Sequence, residues 1–351
     1  MKIIILLFLQ IHFLSAFGQS TPFADLLETY HKSKNFSGAV LVASNGQIRY
    51  IDAAGEADRQ TGAALTVKSK FKIASMTKVF TAVLVMKLVE EGKISLEQTF
   101  GKYFPTYKGE GKNNVTVHQL LTYASGIKNE LDPLAMQPYQ VKTSLDDFIN
   151  TYCSGNLVFT PGEKSTYGNT EYIILQKVIE NVTGKSYEAY LHDIVLKPLG
   201  LKNTNVAKKD QKVNGLVNTY TYNDSLKVFT GDAPYFIENY FAAGSVYSTL
   251  EDLLVFSNAI FQQKILKPET IRKMLTINEK LGYTAYGLWG SQGWGTFNEP
   301  FYYRTGGILG SRANWIYTAD TKTTIIVLSN TDATNLYELS EQLYLLSLDK
   351  K

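Results

Sequence analysis

The sequence predicts an α+β fold in which one antiparallel sheet is assembled from both ends of the chain, with a helical region inserted between them. Three observations carry this reading. Near the N-terminus, Gly38-Ala39-Val40-Leu41-Val42-Ala43 and Gln47-Ile48-Arg49-Tyr50-Ile51 flank Asn45-Gly46, a strong short-range hairpin signal. Near the C-terminus, strand-like runs recur at Tyr286 to Gly290, Phe301 to Arg304, Ala313 to Tyr317 and Thr323 to Leu328, the last three joined by short turns and so expected antiparallel. Between them, from about Phe104 to Tyr240, no convincing alternating strand appears.

Taken in order, residues 1–18 read as a secretory signal: Lys2, a largely apolar run from Ile3 to Leu14, then Ser15-Ala16-Phe17-Gly18, with cleavage expected after Gly18. One domain is expected over 19–351, its sheet part at about 19–103 and 241–351 and its helical part at about 104–240. Thr21 to Tyr30 reads as an amphipathic helix, and the apolar segment Val79 to Val89 as a buried one. Ser95-Leu96-Glu97-Gln98 and Thr116-Val117-His118-Gln119 both have capping-box form, the second opening a helix. Further helices are expected over Asp146 to Tyr152, Thr170 to Val182, Ser186 to Leu196, from the Ser248-Thr249 cap to Phe261, over Pro268 to Leu275 and over Leu336 to Leu348.

Composition narrows the function. The 351 residues carry a formal net charge of +3 and no basic run of five or more, which argues against nucleic acid as a partner. No stretch after the signal is apolar enough to span a membrane, so localisation is expected to be secreted or periplasmic. Cys153 is the single cysteine, so no intramolecular disulfide forms and stability must come from the core. Of four histidines, His31, His118 and His192 lack metal-ligand spacing, and no phosphate loop or dinucleotide fingerprint is present; no metal or cofactor is expected. A Ser-His-Asp hydrolase would show Gly-x-Ser-x-Gly, which is missing.

The chemistry centres on Phe71-Lys72-Ile73-Ala74-Ser75-Met76-Thr77-Lys78. Ser75 and Lys78 stand three apart and share a face if a helix begins near Ser75. A buried lysine loses proton affinity and becomes a base near neutral pH, and a serine at a helix N-terminus meets backbone N–H groups that favour an oxyanion. The Ser-x-x-Lys spacing occurs four times (Ser69/Lys72, Ser75/Lys78, Ser125/Lys128, Ser347/Lys350), so context, not spacing, singles out the second pair. Tyr167-Gly168-Asn169 places a phenol and an amide together before a helix, with Asn169 also suited to a simple N-cap. Arg304-Thr305-Gly306-Gly307 ends a predicted strand, where the Gly307 N–H can join that of Ser75 around an oxyanion. The small residues of Ala242-Ala243-Gly244-Ser245 let a loop pass close to something.

These segments, together with Leu120-Leu121-Thr122-Tyr123-Ala124-Ser125-Gly126-Ile127 and Pro161-Gly162-Glu163, occur in an order that resembles the serine β-lactamase-related proteins, in the class C β-lactamase, D,D-peptidase and esterase branch. The resemblance runs from about Thr21 to the C-terminus. It implies a β-lactamase/transpeptidase-like sheet flanked by helices, with the active site between sheet and helical region. It further implies Ser75 as nucleophile, Lys78 helping to deprotonate it, Tyr167 relaying a proton and activating the deacylating water, and Asn169 orienting substrate, with Arg304, Thr305, Gly306 and Gly307 on the substrate side. Either Lys78 or Tyr167 fits as acylation base. Relatives usually carry Lys or His where this chain has Arg304. Arg304 cannot lose its proton, which argues against efficient β-lactam hydrolysis; it is expected to grip a substrate carboxylate or, if it points away, a neighbouring acid. The expected function is an exported serine hydrolase of esterase or D-amino-acid peptidase type, acting on a small-molecule or peptide substrate through an acyl-Ser75 intermediate. The alternatives are a penicillin-recognising or peptide-binding protein that is acylated without turnover, and a class C-like β-lactamase.

Overall fold

A computed structural model describes residues 21–129 and 136–349; the expected signal segment lies outside the described residues. Among the described residues the strands are, in chain order, β1 (Gly38–Ser44), β2 (Gln47–Ala54), β3 (Glu56–Asp58), β4 (Ala63–Ala64), β5 (Phe71–Lys72), β6 (Asn205–Val206), β7 (Tyr220–Asn223), β8 (Val228–Gly231), β9 (Val246–Ser248), β10 (Trp289–Ser291), β11 (Phe301–Ile308), β12 (Ser311–Thr318) and β13 (Thr323–Ser329). The main sheet has the order β10-β11-β12-β13-β1-β2 with every pairing antiparallel. β1 lies between β2 and β13 and so joins the two ends of the chain, as predicted. Asn45 and Gly46 turn the first hairpin with φ of 52° and 79°, the positive pair a tight two-residue turn needs.

Alternation along the central strands feeds two cores. Val40, Val42, Ile325 and Val327 face the helices Pro22–Ser33 and Leu336–Leu348, where they meet Leu27, Leu339 and Leu343. Leu41, Ile326 and Leu328 face the other way, into the large core that contains Phe80 and Phe256 of the helices Thr77–Glu90 and Leu250–Phe261. Strands buried on both faces read as unbroken apolar runs, which is how β1 and β13 appear in the sequence. Phe80 stacks on Phe256 at 3.8 Å between ring centroids. Truncating either ring to alanine removes contacts worth about 3–5 kcal/mol.

Several expectations need correction. The region 104–240 does contain strands: β6, and the β7–β8 hairpin. These are four residues long or less and largely exposed in β8, too short for periodicity to declare them. Ser95–Gln98 forms a turn and opens no helix, whereas Thr116 and Gln119 make both bonds of a capping box. β10 starts three residues later than expected, at Trp289. The glycines 306 and 307 do not end β11, because they pair with Ala313 and Arg312 of β12 and the strand runs on to Ile308. Among the described residues no helix is long and apolar enough to cross a membrane.

Candidate active site

Ser75 sits in a single 3-10 turn, Ala74–Met76, that passes directly into the Thr77–Glu90 helix. β5 delivers it: Phe71 and Lys72 pair with Ser248 and Tyr247 of β9, and the Ile73 N–H donates to the Val246 carbonyl. Ala74 then turns with φ of +48°, a left-handed conformation that costs a non-glycine residue about 1 kcal/mol or more and is held by its surroundings. Gly306 of β11 packs against this bend so closely that an added Cβ would lie 2.3 Å from the Ile73 carbonyl oxygen.

The side chains converge as the sequence suggests. Ser75 Oγ lies 2.6 Å from the Tyr167 hydroxyl, and Lys78 Nζ lies 3.2 Å from Ser75 Oγ and 3.1 Å from the Tyr167 oxygen. Lys78 is fully buried; its ammonium also donates to Asn169 Oδ1 at 2.7 Å and to the Ala243 carbonyl at 2.9 Å. Asn169 occupies the N-cap position of the Thr170–Thr183 helix but makes no side-chain cap, having turned its amide to Lys78. The Ala242–Gly244 turn is close enough to be grasped because Thr81 and Lys78 on one helix face both donate to its carbonyls.

Electrostatics suit proton transfer. Burial pushes the Lys78 ammonium down to about 8, with Tyr167 pulling it up and Arg304 pushing it further down. Burial alone would raise Tyr167; the cations of Lys78 and Arg304, with hydrogen bonds from Ser75 and Lys78, outweigh it and bring the phenol down to about 7. Tyr167 as a residue is 46% exposed and lines the cavity, while its hydroxyl lies among these donors.

Arg304 departs from expectation. It is fully buried: Nε donates to the Ser75 carbonyl at 2.9 Å, one terminal nitrogen to the Tyr123 hydroxyl at 2.9 Å, and the other to the Tyr167 hydroxyl at 3.0 Å. Its guanidinium is 4.5 Å from the Trp289 ring centroid. So among the described residues it pairs with no neighbouring acid; it braces the Tyr167 hydroxyl and the Ser75 carbonyl from behind. Gly306 likewise lies beneath the Ser75 turn, against the Ile73 carbonyl. Thr305 and Gly307, on the opposite parity of the strand, do line the cavity, which has a volume of about 690 Å³ and also includes Ser75, Tyr167 and Asn169 in its wall. β10 pairs only with residues 301 to 303 of β11, so the strand edge from Arg304 onward is open beside Ser75.

Three contributors escaped sequence reading. Tyr123 has φ of +57°, is fully buried, and carries the hydroxyl that anchors Arg304. Trp289 stacks on Tyr123 at 5.8 Å and covers Arg304. Tyr139, stacked on Tyr240 at 3.8 Å, lines the cavity beside Asn169. Tyr123 stands within a segment noted for its order in the chain, but nothing in that order announces where its hydroxyl points.

A serine flanked by a buried lysine and an acidified tyrosine, at the junction of an antiparallel sheet and a helical region, defines a serine hydrolase of the acyl-transfer class. Residues 23–349 match the Beta-lactamase family, and the chain belongs to that family. It is 27% identical over 336 residues to penicillin-binding protein 4* of Bacillus subtilis, covering 89% of this chain and 72% of that one. It is 26% identical over 264 residues to the teichoic acid D-alanine hydrolase of Staphylococcus aureus, covering 74% of this chain but only 63% of that protein's length. Among solved structures, the octameric penicillin-binding protein homologue of Pyrococcus abyssi superimposes with a TM-score of 0.79 at 25% identity, over 93% of this chain and 76% of that one.

Proposed function

We propose that the protein is an exported serine hydrolase that cleaves an ester or amide of a D-amino acid, of esterase or D-amino-acid peptidase type, through an acyl-Ser75 intermediate. The observation that carries this reading is the closed triangle of Ser75 Oγ, Lys78 Nζ and Tyr167 oxygen, with edges of 2.6, 3.1 and 3.2 Å. Ser75 attacks the carbonyl carbon, and its proton passes to the Lys78–Tyr167 pair. The tetrahedral oxyanion is held by the Ser75 and Gly307 N–H groups; its collapse expels the alcohol or amine, which takes the proton from Tyr167. Water, deprotonated by the same pair, then releases the acid.

The active form holds one proton across the pair, whether as tyrosinate with ammonium or as phenol with amine. The macroscopic limbs of the pH profile therefore belong to the pair, falling on the acid side near 7 and on the alkaline side near 8. Arg304 supports the charge on Tyr167 as a positioning residue. A D-amino-acid acyl group is favoured by two proteins: the relative named for teichoic acid D-alanine, and a structural neighbour, a D-stereospecific amidohydrolase from Streptomyces, that shares the fold with a TM-score of 0.78. With no free cation in the Arg304 position, a terminal carboxylate loses its expected partner, which supports esters and amides over β-lactams.

The test is turnover of a p-nitrophenyl ester, a D-alanyl peptide and a chromogenic cephalosporin, with Ser75→Ala as control. Turnover of the ester or peptide ahead of the cephalosporin, lost in the variant, is expected. Stoichiometric labelling without turnover of any of them would replace this reading by that of an acylated binding protein.

A further inference from the structure

The Ser75 site buries more positive charge than its immediate partners balance. Lys78 and Arg304 are both fully buried, and among the described residues neither forms an ion pair with a carboxylate. Their acceptors are carbonyls, an amide and hydroxyls, of which Tyr167 is brought low enough to ionise near neutral pH. With one proton shared between Lys78 and Tyr167, that pair carries the charge of a single ammonium and a single phenolate, and the Arg304 charge is left over. Such charge in an interior is unfavourable until something anionic offsets it.

Glu171 is the carboxyl placed to do so. It is buried in the first turn of the Thr170–Thr183 helix, two residues after Asn169, whose amide oxygen accepts from Lys78. One of its oxygens accepts from the Ser125 hydroxyl at 2.7 Å; the other, Oε2, has no hydrogen-bond partner among the described residues. Oε2 lies against the backbone that joins Tyr167 to Asn169, since a Cβ added to Gly168 would sit 3.4 Å from it and 3.0 Å from the Asn129 amide nitrogen. Gly168 has no left-handed φ that would call for glycine, so what a side chain there would meet is this packing from behind. The other buried carboxylates among the described residues are held elsewhere, Asp252 by Asn203 and Thr204, and Glu299 by Asp320, Thr321 and Tyr344.

The groups that face Glu171 leave Lys78 as its charged partner. Burial lifts the carboxyl to about 7, while the Ser125 hydroxyl and the Lys78 charge draw it back down; Glu171 in turn draws the lysine upward against burial. Cys153, just after the Leu145–Tyr152 helix, and Tyr107 also feel the carboxyl, and burial holds both neutral. Lys164 is exposed over the Phe159 ring, on the rim of a small cavity that Glu171 also lines. A buried carboxylate oxygen without a hydrogen bond costs stability, and a site that needs its charge is a physical reason to keep it. We propose that Glu171 is a positioning residue of the Ser75 site: its carboxylate offsets the buried Arg304 charge and keeps Lys78 protonated while Tyr167 gives up its proton. The proposal rests on the hydrolase reading above and adds a carboxylate to its Lys78, Tyr167 and Arg304.

The experiment is the pH profile of kcat/KM on a neutral p-nitrophenyl ester with the full chain, in wild type, Glu171→Gln and Glu171→Asp. Loss of the negative charge should move the alkaline limb from near 8 to lower pH by about half a unit or more, the opposite sign to removal of Arg304. Glu171→Asp keeps the charge and should bring the limb most of the way back. Ser125→Ala leaves the carboxyl in place but takes away the hydroxyl that favours its ionised form, so it should move the limb the same way by less. That variant decides the matter if Glu171→Gln fails to fold, an unmoved limb counting against the proposal. A folded Glu171→Gln enzyme whose alkaline limb stays or rises overturns it, because a merely structural role would lower rates or stability without moving the limb downward. If no form turns the ester over, the hydrolase reading fails by itself, and the rate of Ser75 labelling by a fluorophosphonate against pH reads the same limb. A downward shift of that rate profile in Glu171→Gln supports the proposal; no shift, or no labelling at all, overturns it.

Discussion

Replacing Arg304 by methionine tests the claim that a buried cation behind the site sets the protonation of Tyr167. The guanidinium carbon lies 5.1 Å from the Tyr167 ring centroid and a terminal nitrogen 3.0 Å from its oxygen. At about 5 Å and an effective dielectric of about 20, the interaction is roughly 3 kcal/mol, equivalent to about two pH units. Water in the open cavity screens part of this, so the predicted shift is at least about one unit. The sign is fixed: Arg304 lowers both Tyr167 and Lys78, so its removal raises both limbs of the kcat/KM profile, the acid limb moving from near 7 to about 8 or above. The Tyr123 hydroxyl loses its Arg304 donor, at about 1–3 kcal/mol, which thermal denaturation should register. Arg304→Lys keeps the charge and should restore most of the limb's position. Initial rates on a neutral p-nitrophenyl ester across the pH range supply the assay. A folded Arg304→Met enzyme whose acid limb stays where it was, or moves down, would refute the reasoning.

Further outcomes follow from the same geometry. Lys78→Met should lower kcat by about 10²–10⁴-fold, since it removes the ammonium from Ser75 Oγ and the tyrosine together; a loss under threefold would show that Tyr167 works without it. Gly306→Ala would place a methyl 2.3 Å from the Ile73 carbonyl oxygen, so the Ser75 turn must shift; activity should fall by about tenfold or more with roughly 1–3 kcal/mol of stability, and full activity would count against the close packing. Glu171 is buried with one oxygen accepting from Ser125 at 2.7 Å and the other without a hydrogen-bond partner among the described residues, and burial lifts its carboxyl from 4.5 to about 7. Because the folded value is the higher one, the stability it contributes is fully present below about pH 4.5 and lost as pH rises to about 7. Glu171→Gln should abolish that slope in denaturant titrations at several pH values, and an unchanged slope would assign it elsewhere.

How much of this was legible in the sequence depends on range. Ser75, Lys78, Tyr167 and Asn169 were legible because each pair sits within one short segment, where spacing and a following helix fix side-chain direction. The sheet was legible because β1 and β13 are apolar on both faces. Arg304 was misplaced because the strand was taken to end at the glycines. Its continuation to Ile308 puts Arg304 and Gly306 on the face towards Ser75, and Thr305 and Gly307 on the cavity face, a parity that alternation would have given. Tyr123, Trp289 and the Ala243 carbonyl act across 181, 15 and 165 positions of chain respectively, counted to Arg304 for the first two and to Lys78 for the third. Contacts of that kind leave no local pattern. The left-handed turn at Ala74 is equally silent, because tertiary contacts, not alanine's own preference, hold it.

The central claim, an acyl bond to Ser75, is tested most directly by intact-protein and peptide mass spectrometry after reaction with a fluorophosphonate or a fluorescent penicillin. One adduct per chain is expected, on the peptide that contains Ser75, and none on Ser75→Ala protein. An adduct on another residue, or equal labelling of the variant, would contradict the account.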